Sequence, residues 1–355
     1  MANKRSILYV VEDTKSAQFR YRVKNIIATC QNSQNYTVDF LQISELAKIE
    51  QALPDISALI FERQTSKNST IPKLIKSAQK KGIKVIFDLD DLIFDYRDLP
   101  LLMYSTNSKN IFYWTGYFWG IRRIAKRADG FIATNRFLAK KLECSFKKPV
   151  AVISNALNAE QISVSEKYLK SQKSHKGFIL GYFSGSPTHA KDFRLIEPDL
   201  INFLKKHEDA SLKIVGCMDF SARVKSLINT GKIKFEPPVS YLKLQEKIAE
   251  VDVNLAPLVD NDFTNCKSEL KFFEAAIVET PTLATPTFAF KKAIKQGQTG
   301  FLCRTGEWLP TLEKLYSDPA LRTKVALAAK DYCLKTYYGK NFLKEVEGAY
   351  DAIIK

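Results

Sequence analysis

Four aspartates crowd the run F-D-L-D-D-L-I-F-D: Asp88, Asp90, Asp91 and Asp95. They follow a strand-like segment, Lys84–Phe87. In an open α/β sheet, ligands bind outside that carboxyl end. Carboxylates so close repel one another, which raises the apparent pKa of some of them. The chemistry open to them is a hard cation held by oxygens, recognition of hydroxyls, or general base work on a hydroxyl. Helix capping by Asp90 or Asp91 in an exposed turn is the plainer alternative. A second stretch, Asn265 to Pro286, passes from a polar loop into a helix. Leu270, Phe273, Ala276 and Ile277 give it an apolar face, which leaves Glu269 and Glu274 elsewhere on its surface and Lys267 and Ser268 at its start. Such a helix start suits a diphosphate, or is simply solvated. A third stretch is the loop Ser184-Gly185-Ser186-Pro187-Thr188-His189-Ala190-Lys191-Asp192. Gly185 lets backbone approach a ligand, and the hydroxyls offer donors. His189 is either a phosphate partner or an exposed loop residue.

These residues need strands and helices to hold them. Ser6–Val11, Tyr36–Leu41, Ala58–Phe61, Lys84–Phe87, Gly130–Thr134 and Val150–Ser154 read as strands, with helices over Gln18–Thr29 and Ile71–Lys81. Phe178–Phe183, Ser211–Val215, Ile233–Phe235, Asp252–Pro257 and Thr282–Thr285 read as a second set of strands. The expected fold class is α/β, two doubly wound Rossmann-like domains facing across a cleft. The boundaries fall at 1–165 for the first domain, 166–177 for a linker without periodicity, 178–335 for the second domain, and 336–355 for a final helix. Arg20 and Arg22, near the first helix, are read as steering an anionic acceptor or as solvated.

At 355 residues the chain holds two ordinary domains. No G-x-G-x-x-G follows the first strand, so a dinucleotide cofactor is not expected. Six cysteines without a C-x-x-C pair argue against a zinc site and a disulfide framework. Neither a signal peptide nor a membrane-spanning run is legible, so the expected location is the cytoplasm. The net charge of +16 attracts polyanions or an anionic membrane, or reflects general solubility. Leu101–Arg127 gathers Tyr104, Phe112, Tyr113, Trp114, Tyr117, Phe118 and Trp119 ahead of Arg122, Arg123, Lys126 and Arg127. That pattern suits peripheral contact with the inner face of a membrane, or a core helix with a basic last turn. No nucleic-acid motif accompanies it, so nucleic acid is not the expected partner.

The segment Glu274-Ala275-Ala276-Ile277-Val278-Glu279-Thr280-Pro281 resembles the E-A-x-A-x-G-x-P pattern of family-four retaining glycosyltransferases of GT-B fold. The Glu, the first Ala and the Pro match; Ile277 and Glu279 replace the second Ala and the Gly. The resemblance implies that Glu274 grips the ribose of a nucleotide-sugar. Cys266 stands where that family often has a second Glu, which leaves Lys267, Ser268 and Glu269 for phosphate and sugar contacts. Lys191 approximates the lysine of the family's phosphate-binding pair, with Ser184, Gly185 and Ser186 covering part of the missing arginine's role. The backbone around Val239 is implied to meet the base. The D-x-D-D run is also similar to the metal motif of the GT-A fold, but the remainder resembles GT-B, so metal-independent chemistry is implied.

The expected function is therefore transfer of a sugar, with retention, from a UDP-, GDP- or dTDP-linked donor. The expected acceptor is a glycan or polyprenyl-linked glycan of cell-surface polysaccharide or glycoconjugate synthesis. Asp88, Asp90, Asp91, Lys191 and Glu274 are the candidate catalytic residues. The alternatives are a catalytically silent binding subunit and a nucleotide-sugar epimerase or hydrolase.

Overall fold

The computed structural model describes residues 4–65, 70–170, 175–185 and 189–354. The chain forms two compact units. The first takes in residues 1–158 together with Asn265–Ser268 and Thr336–Lys355, and the second residues 159–264 and 269–335.

Runs of β-branched and aromatic residues make the first sheet: β1 (Arg5–Val11), β2 (Tyr36–Gln42), β3 (Ala58–Glu62), β4 (Lys84–Leu89), β5 (Gly130–Ala133) and β6 (Val150–Val152). All are parallel, in the order β2-β1-β3-β4-β5-β6. The direction of winding reverses between β1 and β3, which opens a crevice at their carboxyl ends. β3 and β4 are buried along almost their whole length, as parallel strands covered on both faces must be. The helix Gly339–Ile354 closes one face: Phe342, Val346, Ala349, Tyr350 and Ile353 join the core formed by Ile7, Tyr9, Val23, Ile26 and Ile132.

The second sheet comprises β7 (Phe178–Ser184), β8 (Ala210–Gly216), β9 (Ile233–Glu236), β10 (Val253–Ala256), β11 (Thr282–Ala284) and β12 (Phe301–Leu302). Its order is β12-β11-β10-β7-β8-β9, again all parallel. The reversal lies between β7 and β10. Its core includes Leu180, Tyr182, Phe203, Leu212, Ile214, Leu255 and Leu312.

Several local expectations are corrected. The first helix spans its expected range but is not α-helical throughout: Ala17–Phe19 passes into a π-helical segment at Arg20–Lys24 before Asn25–Cys30. A helix covers Ala159–Lys170, so regular structure runs into the stretch read as linker. It was missed because its buried positions include polar Gln161 and Ser165, whose hydroxyl bonds Gln161 O and Gln245 Oε1. The aromatic-rich run divides into helices Leu99–Thr106 and Ile111–Ala125, with Asn107 in the left-handed conformation between them. The helix Leu270–Ala276 is not amphipathic. It buries Phe272, Phe273, Glu274, Ala275 and Ala276 together, and Glu269 before it is buried as well.

Candidate active site

Each of the four aspartates has a cation beside it, so the expected repulsion is answered by charges from elsewhere in the chain. β4 extends to Leu89 rather than Phe87, so Asp88 is a strand residue, fully buried. The π-turn after β1 inserts Arg22, also buried, against it. Arg22 Nε and Nη2 donate to the two Asp88 oxygens at 3.0 and 3.1 Å, and Nη1 donates to Ile153 O at 2.6 Å and Asn155 Oδ1 at 3.2 Å. Arg22 is thus neither a steering residue nor a solvated one. Burial raises the Asp88 carboxyl to about 6, against the downward pull of Arg22.

Asp90 and Asp91 share Arg63. Its Nη1 donates to Asp90 Oδ1 at 3.1 Å and Asp91 Oδ2 at 2.8 Å, and its Nε to the Tyr117 hydroxyl at 3.3 Å. Arg63 follows β3 directly and has a φ of 33°, a left-handed conformation that a side chain adopts only under constraint. Its amide donates to Asp88 O at 3.0 Å, which ties the turn to β4. Lys267 Nζ stands 3.4 Å from Asp91 Oδ1. Burial raises Asp90; Asp91 meets the same burial, but Lys267 and Arg63 outweigh it and hold that carboxyl below its ordinary value. Neither residue caps a helix. Asp95 does, accepting from Arg97 N at 3.1 Å. Hydrogen bonds from Arg97 lower its pKa, which Ser145 Oγ at 2.9 Å reinforces. Among the described residues no group of three or more His, Cys, Asp or Glu side chains is arranged to hold a metal ion.

Sequence reasoning passed over Glu62, Arg63 and Gln64, although they stand at the carboxyl end of the neighbouring strand. The rule that singled out the aspartates applies to them equally. Asn135 and Asn155 were likewise missed as anchors. Asn135 Nδ2 donates to the carbonyls of Asn265, Cys266 and Lys267 at 3.2, 3.1 and 3.0 Å, and Asn155 Nδ2 donates to Ser268 Oγ at 2.9 Å. These bonds hold Lys267 and Ser268 in the first unit. Cys266 is fully buried there.

In the second unit, Ser184 ends β7 and Gly185 opens the loop at the winding reversal. Ser186 lies outside the described residues. Ser184 is buried, and its hydroxyl donates to Cys217 O at 3.1 Å. His189 and Lys191 flank the start of the short helix Ala190–Arg194. Asp192, buried in that helix, accepts from His189 Nδ1 at 2.8 Å through one oxygen and from Val259 N at 2.8 Å through the other. One carboxylate therefore joins the loop after β7 to the loop after β10, across the reversal. Glu274 is buried in Leu270–Ala276, which Asn254 anchors by donating to Lys271 O at 2.9 Å and to Thr282 Oγ1 at 3.0 Å. Val239 is half-buried beyond β9, against the cluster of Phe183, Val215 and Ile248.

Residues 180–318, from β7 to the end of the helix Trp308–Ser317, match the family described as Glycosyl transferases group 1. Across 121 residues the chain is 32% identical to a D-inositol 3-phosphate glycosyltransferase of Arthrobacter sp. (strain FB24); the match takes in 32% of this chain and 27% of that relative. The chain therefore spans about a quarter of the curated relative it matches. Anabaena Alr3699/HepE, solved in complex with UDP, has a TM-score of 0.65 at 13% identity, over 98% of this chain and 99% of that one. A glycosyltransferase of Rickettsia africae ESF-5 has a TM-score of 0.66 at 15% identity, over 99% of both chains. Two parallel six-stranded α/β units and these likenesses make the fold GT-B, and residues 180–318 are the part of the chain that is similar to the group 1 glycosyltransferases.

Proposed function

We propose that the chain transfers a sugar, with retention, from a nucleoside-diphosphate-sugar to a glycan or lipid-linked glycan in surface polysaccharide or glycoconjugate synthesis. The observation that carries this reading is the group 1 match over 180–318, laid on a sheet whose winding reverses beside Ser184 and Gly185. Lys191 and the Ser184–Gly185 loop neutralise the charge that develops on the departing diphosphate. Glu274, locked in a buried helix, orients the ribose, which is positioning rather than bond-making. The acceptor hydroxyl gives its proton to the leaving phosphate, so no separate histidine base is required. The exposed aromatics and arginines of Ile111–Ala125 carry peripheral contact with an anionic inner membrane.

Thermal shift against UDP, GDP, dTDP, ADP and CMP tests the reading, with E274A beside the wild type. UDP comes first because HepE is solved with it. A ligand at about 100 times its Kd stabilises by about 2.7 kcal/mol, a readily measured shift. Stabilisation by one nucleoside diphosphate, lost in E274A, is expected; no response to any of them sinks the proposal. Cys266, in place of the family's second Glu, favours one rival, a silent homologue that binds without turnover. Nucleotide binding with no sugar transfer to any acceptor fraction would select it.

A further inference from the structure

The end of β3 carries a group that the donor chemistry leaves unused. Glu62 is 6% exposed and pairs in register with Asp88. It stands at the crevice where the first sheet reverses its winding, between β1 and β4. No described residue makes a hydrogen bond to its carboxyl group. Gln64, two residues on and 1% exposed, turns back to β1, where its Nε2 donates to Val10 O at 2.7 Å. That bond fixes which end of the amide is which. It leaves Oε1 buried without a hydrogen-bond partner. Between them lies Arg63, held in its left-handed conformation by the bonds to Asp88 O, Asp90 and Asp91. A buried acceptor with nothing to accept is costly unless a ligand supplies the donor. Constrained backbone at such a point is a common mark of a ligand clamp.

We propose that Glu62 and Gln64 form a hydroxyl-binding subsite on the first unit, reading a pair of hydroxyls on the acceptor sugar, the Gln64 carbonyl accepting from one and the Glu62 carboxyl donating to the other. The inference rests on the transferase reading for the word acceptor; the hydroxyl chemistry stands on the first unit alone. Glu62 donates only while it is protonated. Burial, with Asp90 and Asp88 beside it, raises its carboxyl to about 8, and Arg63 and Arg22 oppose that rise. At neutral pH the group is therefore a neutral donor. The subsite selects against acceptors that lack the hydroxyl facing Gln64, because Gln64 Oε1 is then left buried and unpaired.

Saturation-transfer NMR tests this with methyl glycosides of glucose, galactose and mannose and with myo-inositol as probes. The proteins are wild type, E62Q, E62L and Q64L, each checked for its far-UV spectrum and melting curve. At least one probe is expected to bind wild type at pH 7. Its affinity should fall about tenfold in E62L and in Q64L, the effect of one lost hydrogen bond to a buried group. E62Q keeps a donor and should bind within about threefold of wild type. Wild-type binding should weaken as pH rises from 7 to 9, and E62Q binding should stay level. No binding of any probe by wild type, or equal binding by a folded E62L, overturns the subsite. UDP thermal shift on the same samples separates the two readings. A UDP response without the Glu62 dependence removes the subsite alone, and the Glu62 dependence without any nucleotide response removes the transferase reading alone.

Discussion

Removing Arg22 would leave the Asp88 carboxylate buried with no countercharge. Breaking one partner of such a pair costs about 3–5 kcal/mol, whereas replacing both partners with apolar groups is often neutral. R22M should therefore lower the unfolding free energy of the first unit by that amount in urea titration, and R22M/D88L should recover most of it. A double variant no better than R22M would show that the pair is not the source of the loss. Glu62 gives a second test at the same scale, with a defined sign. Its folded pKa of about 8 lies above the ordinary carboxyl value of 4.5, so the folded state binds the extra proton. Stability then falls as pH rises between those values, and the whole penalty is present above about 8. E62Q is expected to match wild type near pH 5 and to exceed it by at most about 5 kcal/mol at pH 9, from about 1.36 kcal/mol per pKa unit. A constant difference across that range would refute the shift. The aspartates were legible in the sequence because they are consecutive and follow a strand. Their partners were not, because Arg22 stands 66 residues before Asp88 and reaches it only through a π-turn that no periodicity signals.

At the scale of elements, the end of the helix Leu270–Ala276 explains a departure from the family pattern. Thr280 N donates to Ala275 O and Glu279 N to Ala276 O, both at 3.0 Å, which is the Schellman arrangement. The residue at its turning point takes a left-handed conformation, and Glu279 does so with φ 53° where the family pattern has Gly. Lys330 Nζ, 2.8 Å from Glu279 Oε1, offsets little of that strain, because a part-exposed ion pair contributes only a few tenths of a kcal/mol. E279G should thus raise the stability of the second unit by about 0.5–1 kcal/mol, measured by chemical denaturation; a loss would mean the ion pair dominates. Gly216 shows the opposite constraint. Its φ is 129°, and a Cβ there would lie 1.8 Å from Ser184 O. G216A should destabilise by about 3 kcal/mol or more and blunt the nucleotide response, since the strand end carrying Ser184 must move. Ordinary stability with an unaltered nucleotide shift would dissociate that strand end from the donor site. Strands and most helices were readable from hydrophobic runs and periodicity. The helix Leu270–Ala276 was read with a polar face because Glu269 and Glu274 are charged, yet tertiary burial overrode the pattern.

Over the whole molecule, two open sheets could be anticipated because strand-like runs alternate with helical ones. That Asn265–Ser268 belongs with the first unit could not, because carbonyl bonds to Asn135 leave no trace in residue type. No helix among the described residues is long and apolar enough to cross a membrane, so the proposed membrane contact rests on surface and charge. Phe112 is 88% exposed, and Ile111, Tyr113 and Trp119 are each about half exposed on the same helix. The Arg123 guanidinium lies over the Trp119 ring at 4.6 Å, so a cation and an aromatic share one face. Phe118, Ile121 and Ile124 are buried, whereas Phe112 and Trp119 of the same helix stand exposed. With a net charge of +16, an anionic bilayer is the surface that satisfies rings and arginines together. Sedimentation with vesicles of phosphatidylcholine alone, or with about a third phosphatidylglycerol, decides the matter. Binding should require the anionic lipid at about 0.1 M salt and should weaken toward 1 M, as the screening length contracts from about 10 to about 3 Å. F112S/W119S should bind less at every salt concentration while keeping the wild-type nucleotide shift, because neither residue lies in the second unit. Failure of wild type to bind anionic vesicles at physiological salt would end the membrane reading and return the exposed aromatics to a protein partner.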